Sequence, residues 1–186
     1  MDKHYISADA LLQDSFRLGL EVHKSDYRPD FIVGVWRGGT PVGIAVQEIL
    51  GFCGHHSDHI AIRTASYTGI GTRDREVQVF GLNYLIERLQ RDSRLLIVDD
   101  VYDTGLSVQA VVERLRQLSS DKPAIDIRIA TPWFKPGNNQ TPVAPDYYLY
   151  ETDQWLVFPH EMAGLSRTEL ARNKPGLAAL LAEYGR

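Results

Sequence analysis

The sequence predicts an α/β fold, a mostly parallel central sheet flanked by helices, because two strand, loop, helix units follow one another in the chain. In the first, the apolar run Phe31-Ile32-Val33-Gly34-Val35-Trp36 leads into Arg37-Gly38-Gly39-Thr40 and a helix with Pro41 in its first turn. In the second, Arg94-Leu95-Leu96-Ile97-Val98 is the most buried-strand-like run in the chain. It ends in Asp99-Asp100-Val101-Tyr102-Asp103-Thr104-Gly105, ahead of a helix from about Leu106 to Leu118.

The remaining elements follow from periodicity and turn chemistry. Ser7 can cap a first helix whose apolar residues Leu11, Leu12, Phe16 and Leu20 recur at near-helical spacing, before a turn at Tyr27-Arg28-Pro29-Asp30. The helix behind Pro41 runs through Leu50 and is closed by Gly51. His59 to Tyr67 alternates as a strand, Thr68 to Val79 is rich in glycine and charge and reads as a long mobile loop, and Leu82 to Gln90 reads as a helix. Ile125 to Ala130 and Tyr147 to Tyr150 read as strands separated by the loop from Pro136 to Pro145. Beyond them Trp155 to Pro159 is extended, Ser166-Arg167-Thr168-Glu169 has capping-box spacing, and Pro175 starts a last short helix. With no repeat or linker, a single domain over 1–186 is expected.

Composition narrows the function classes. A chain of 186 residues with 44% hydrophobic content can bury its own core. A net charge of −4 with no run of Lys or Arg argues against a nucleic-acid partner. No stretch approaches the ~18 apolar residues of a membrane span, and the N-terminus has no apolar signal core, so no membrane partner is expected. The single cysteine, Cys53, makes no internal disulfide and suits a reducing, cytoplasmic location. His55, His56 and His59 with Asp58 lack the spacing of a zinc pattern and read as a solvent-facing loop.

Ligands of open parallel sheets bind beyond the carboxyl ends of the strands, where both glycine-bearing loops lie. Asp103-Thr104-Gly105-Leu106-Ser107 opens a helix, so free backbone N–H groups, a glycine and two hydroxyls can surround one phosphate. Taken alone, that pattern more often describes a plain helix cap. Asp99-Asp100 shifts the balance, because two acids ending a buried strand need water, a cation or a polyhydroxyl ligand. They suggest ribose hydroxyls and a hydrated magnesium ion. Arg37-Gly38-Gly39 offers backbone donors and a guanidinium fork for phosphate oxygens, or an ordinary strand-to-helix turn.

The run Leu95-Leu96-Ile97-Val98-Asp99-Asp100-Val101-Tyr102-Asp103-Thr104-Gly105-Leu106-Ser107 resembles the phosphoribosyl pyrophosphate (PRPP) motif of the type I phosphoribosyltransferases, a highly specific match. The likeness is to the purine branch, the hypoxanthine-guanine and xanthine-guanine enzymes, and extends in order from Phe31 to about Glu161. It implies the type I phosphoribosyltransferase fold, with a core at about 28–150 and a small hood of C-terminal segments carrying base recognition at about 151–165. It also implies transfer of the phosphoribosyl group of PRPP to N9 of hypoxanthine, guanine or xanthine in purine salvage, with Mg2+ as cofactor. A homodimer or homotetramer is implied as well.

By the same resemblance Arg37 and Gly38 bind pyrophosphate, in a loop that commonly has a non-proline cis peptide, here at Trp36-Arg37 or Arg37-Gly38. Asp99, Asp100, Asp103, Thr104, Gly105, Leu106 and Ser107 bind PRPP, and Asp103 is the base that takes the purine N7 proton. Ser66-Tyr67 matches the loop that closes over the reacting centre. Lys135 is directed at the exocyclic oxygen of the purine, Trp155 stacks on the base and the Leu156 carbonyl reads its edge. Asp99 and Asp100 hold magnesium and Glu161 takes the place of an acid that binds a second ion. Phe158-Pro159-His160-Glu161 departs from the pattern, with His160 where the xanthine-guanine enzymes usually have tryptophan and Glu161 where aspartate is common.

Singly, Trp155 and Lys135 read equally well as a core-capping aromatic and a solvated lysine. Two rival functions carry over: a non-catalytic nucleotide-sensing regulator on the same fold, and a phosphoribosyltransferase for another base such as orotate or uracil. Asp103, Lys135 and the Ser66-Tyr67 loop argue against the first, Trp155 and Lys135 against the second.

Overall fold

A computed structural model describes residues 3–68, 75–119 and 125–185. In chain order its elements are β1 (Lys3–Tyr5), α1 (Ala8–Lys24), β2 (Phe31–Trp36), α2 (Gly39–Phe52), β3 (Asp58–Thr68) and β4 (Arg75–Phe80). They continue with α3 (Asn83–Arg88), β5 (Arg94–Val98), β6 (Val101–Tyr102), α4 (Leu106–Leu118) and β7 (Asp126–Phe134). Last come β8 (Tyr147–Glu151), β9 (Trp155–Val157), α5 (Arg167–Asn173) and α6 (Pro175–Glu183). The chain divides into two compact units, Asp9–Asp153, and Met1–Ala8 with Gln154–Arg186.

In the larger unit the strands form one sheet in the order β4-β3-β2-β5-β7-β6, with β8 also pairing β7. Every pairing is parallel except β3 with β4. Successive strand side chains point to opposite faces. Leu95 and Ile97 therefore join Val33, Leu85, Val111 and Leu115 in one core cluster, while Leu96 and Val98, fully buried too, face the other side. There α2 packs on β2 and β5. Each such side chain stabilises the fold by about 1.5–3 kcal/mol on burial.

The break between β5 and β6 positions the acids. Val98 pairs with Ala130 and Val101 with Trp133, so the two strands run along β7 in one register. Asp99 and Asp100 fill the gap, opposite Thr131 and Pro132, and Pro132 has no N–H to give a continuous ladder. The interruption places two adjacent carboxylates at the carboxyl end of the sheet, where Asp99 Oδ1 accepts from Asp100 N at 3.0 Å.

Three sequence expectations are corrected. The loop expected over Thr68–Val79 contains a strand: β4 pairs antiparallel with β3, Tyr67 opposite Glu76 and Ser66 opposite Val77. Residues 69–74 of that expected loop lie outside the described residues. Gly51 does not close α2, which continues to Phe52, and it is Gly54 that adopts a left-handed φ of 82°. The strand expected to stop at Ala130 runs to Phe134, because β8 and β6 both pair with its second half.

In the smaller unit β1, not anticipated from sequence, pairs in parallel with β9, Lys3 opposite Trp155 and Tyr5 opposite Val157. The capping box at the start of α5 is present, Ser166 accepting from Glu169 N and Glu169 accepting from Ser166 N. Lys3 Nζ reaches Glu169 Oε1 at 2.6 Å. Lys174 Nζ donates to the carbonyls of Phe158, Pro159 and Glu161 at 2.6, 3.0 and 2.6 Å, which fixes the turn after β9. Among the described residues no helix is long and apolar enough to cross a membrane.

Candidate active site

At the end of β6, Asp103, Thr104 and Gly105 turn the chain into α4. Gly105 takes a φ of 77°, and a Cβ there would lie 2.6 Å from the Tyr102 ring, so only glycine fits both the left-handed backbone and the packing. α4 begins without a side-chain cap at Gly105, and Leu106 N makes a long 3.4 Å contact with Thr104 Oγ1. A cavity of about 80 Å³ opens there, lined by Asp99, Asp103, Thr104, Gly105 and Ser107 among others. A cavity of about 700 Å³ between β4 and α4 has only Leu106 of the candidate residues in its lining. Chemistry, not size, selects the smaller one, because it alone of the two has carboxylates facing a helix N-terminus.

The Arg37 loop lies against the acids. The Trp36–Arg37 peptide is cis, one of the two positions expected. Gly38 and Gly39 are buried and Arg37 is exposed. A Cβ on Gly38 would land on the Asp100 carboxylate, and one on Gly39 would meet the Val98 carbonyl and lie 2.8 Å from Asp99 Cα. The two strand-end loops are thus in direct contact, which requires glycine at both positions. Burial, and after it the charge of Asp100, pushes the Asp99 carboxyl well above the usual carboxylate range, although the N–H groups of Asp100 and Gly39 donate to it.

Asp103 and Lys135 meet. Lys135, at the end of β7, is 7% exposed, and its Nζ lies 3.0 Å from Asp103 Oδ2. The lysine is therefore not a solvated surface residue. Sequence reasoning missed a third member, Asn138, whose Nδ2 donates to Asp103 Oδ1 at 2.9 Å. The loop that carries it also straps the turn before α4: Gln140 N donates to Thr104 O at 3.0 Å, and Thr141 Oγ1 lies 2.9 Å from Tyr102 Oη. The signal available was Lys135-Pro136-Gly137-Asn138-Asn139, a turn sequence that returns the chain toward its start.

Other candidates stand elsewhere. Ser66 and Tyr67 belong to β3 by backbone, and their side chains lie outside the described residues. In the smaller unit Trp155 is 56% exposed, while Leu156 is buried and pairs with His4. Glu161 Oε2 accepts from Phe158 N at 3.0 Å, and the Phe158 and His160 rings are stacked 5.9 Å apart. Among the described residues no three His, Cys, Asp or Glu side chains are grouped to hold a metal, the His55, His56 and His59 segment included.

No curated protein matches the sequence. Among solved structures, a purine phosphoribosyltransferase from Pyrococcus horikoshii is 31% identical, with a TM-score of 0.68 over 89% of this chain and 99% of that one. A hypothetical protein from Neisseria gonorrhoeae with bound ppGpp is 17% identical, with a TM-score of 0.73 over 100% of this chain and 98% of its own. The xanthine-guanine-hypoxanthine phosphoribosyltransferase of Helicobacter pylori is 22% identical, with a TM-score of 0.66 over 84% of this chain and 92% of its own. The latter two likenesses show the fold, the type I phosphoribosyltransferase fold. Residues 6–166, which include the Asp103–Gly105 turn, Asp99, Asp100 and the Arg37 loop, match the family model described as the phosphoribosyl transferase domain, and the chain belongs to that family.

Proposed function

We propose that this protein transfers the phosphoribosyl group of PRPP to N9 of a 6-oxopurine, hypoxanthine, guanine or xanthine, releasing pyrophosphate and a nucleoside monophosphate. The observation that carries this reading is the Asp103–Lys135 pair beside the phosphate loop. N7 and O6 sit side by side on one edge of such a purine. A carboxylate that takes a proton from N7 and an ammonium that donates to O6 must then be neighbours, as these are at 3.0 Å. Lys135 has three donors and no acceptor, so it favours a 6-oxo group over the 6-amino group of adenine. The 31% identity to the P. horikoshii purine enzyme supports the same substrate class.

Magnesium fits the donors present. Asp99 and Asp100 are adjacent, the charge of one raises the proton affinity of the other, and only a glycine leaves room between the Arg37 loop and Asp100. Two adjacent carboxylates, with no group of three among the described residues, suit an ion that keeps its waters and binds substrate phosphates. Asp99 and Asp100 would hold it, Glu161 would serve a second ion by the resemblance, and its chemistry would be to neutralise charge on pyrophosphate.

The chain's own groups do the rest. The N–H groups opening α4, with Thr104 and Ser107, hold the 5-phosphate, and Arg37 with the Gly38 loop holds pyrophosphate. N9 bonds to the anomeric carbon as the bond from that carbon to the pyrophosphate oxygen breaks. Asp103 accepts the N7 proton, help typically worth about 10²–10⁴-fold. By the resemblance alone, Trp155 would stack on the purine, the Leu156 carbonyl would read its edge and Ser66-Tyr67 would help exclude water.

The test is a spectrophotometric screen of hypoxanthine, guanine, xanthine, adenine, orotate and uracil with PRPP and magnesium. Turnover confined to the 6-oxopurines supports the reading. Turnover with orotate or uracil, or nucleotide binding without turnover on any base, favours one of the two rival functions.

A further inference from the structure

We propose that Asn138 is a positioning residue that sets the plane of the Asp103 carboxylate, a proposal that rests on the reading of Asp103 as the base. Asn138 Nδ2 lies 2.9 Å from Oδ1 and Lys135 Nζ 3.0 Å from Oδ2, so each oxygen has its own donor. The terminal torsion of an aspartate is broad, and a carboxylate held through one oxygen turns readily about it. Two donors on two oxygens remove that freedom, yet leave each oxygen a further lone pair for the ring proton.

The local backbone explains how both donors arrive. Asn138 N donates to Lys135 O at 3.1 Å, so the two residues stand at the two ends of one tight turn. Gly137 between them lies beside the exposed Asp153 side chain, whose Oδ1 a Cβ there would approach to 2.7 Å. Gln140 N then ties the same loop to Thr104 O. The turn thus grips the phosphate loop and the carboxylate at once. An amide is the fitting side chain at this place: it donates without adding charge, whereas a carboxylate of the same shape would face Asp103 as a like charge.

Asn138 is exposed, and exposed substitutions away from packing usually shift stability by no more than about 0.5 kcal/mol, so its variants fold. The experiment measures kcat, KM for guanine and PRPP affinity for Asn138→Ala, Asn138→Asp and Asn138→Gln, each in the parent and in an Asp103→Asn background. Misplacement of a reacting group costs up to about a hundredfold, so Asn138→Ala is expected to lower kcat about tenfold and Asn138→Asp about a hundredfold. KM and PRPP affinity stay within about twofold, since the interaction acts on the transition state. Asn138→Gln, which keeps a donor that can reach, returns kcat to within about threefold, and in the Asp103→Asn background the three changes have no further effect. Parent kcat in Asn138→Ala and Asn138→Asp, or equal losses in both backgrounds, would overturn the positioning role and leave the base reading intact. Full turnover by Asp103→Asn alone would instead remove the base reading, and this proposal with it.

Discussion

Lys135 Nζ and Asp103 Oδ2 lie 3.0 Å apart across 32 residues of sequence, with the lysine almost wholly buried. A lysine is rarely buried without a partner. Here the partner comes from the end of β6 and the lysine from the end of β7, so adjacent strands deliver the two groups to one point.

Lys135→Ala is expected to act mainly through the purine, with kcat also falling because one oxygen of Asp103 loses its donor. Hydrogen bonds to charged groups contribute about 1.5–3 kcal/mol, so KM for guanine should rise about 10–150-fold. Steady-state kinetics and calorimetric titration of PRPP check this together, and an equal loss of PRPP affinity would separate Lys135 from base recognition.

Gly38→Ala places a methyl group on the Asp100 carboxylate and forces it aside. The expected result is a fall in PRPP affinity of about tenfold or more, the scale of one lost charge-assisted hydrogen bond. Titration of PRPP in the presence of magnesium reads the change. Unaltered affinity would show that the contact between the two loops has no part in binding.

Asp99→Asn should exchange stability for function. The folded Asp99 carboxyl is raised by burial and by Asp100, so its ionisation disfavours the fold increasingly as pH climbs through that raised value. Below the unfolded value, about 3.9, both states are neutral and the cost vanishes. The variant is thus expected to melt higher than the parent at pH 7, with the difference closing toward pH 4, while PRPP affinity falls. Melting curves across that range decide it, and a variant less stable than the parent at pH 7 would contradict the account.

Glu169 behaves oppositely. The Lys3 ammonium, then the Ser166 N–H and hydroxyl, hold its carboxyl down at about 2. Its contribution is present above the unfolded value of about 4.3 and is lost as pH falls through the folded value. Glu169→Gln should melt lower than the parent at pH 6, and the gap should close between about pH 4 and pH 2. A gap that persists unchanged at pH 2 would show that the loss is one of shape rather than charge.

The parts legible in the sequence are those whose signals are local. β5 and α4 stand at the residues expected, because a fully buried strand and a glycine-started amphipathic helix each announce themselves within a few residues. The Arg75–Phe80 strand was hidden because its alternation is short and charged, and its partner β3 supplies the order. β1 was hidden for a similar reason: three residues become a strand only by pairing with Trp155–Val157, far along the chain. That Asp99, Asp100 and the Asp103–Ser107 segment stand together at the strand end and helix start was legible from their adjacency in sequence. That Lys135 is buried against Asp103, and that Asn138 completes the arrangement, depends on how the chain folds back after β7, which no spacing encodes.

The measurement that bears most directly on the account compares the parent with Asp103→Asn, titrating each with PRPP and magnesium and then following nucleotide formation from guanine. The account predicts that both bind PRPP alike and that the variant turns over about 10²–10⁴-fold more slowly. Equal turnover by the two proteins, or a parent that does not bind PRPP, would contradict it.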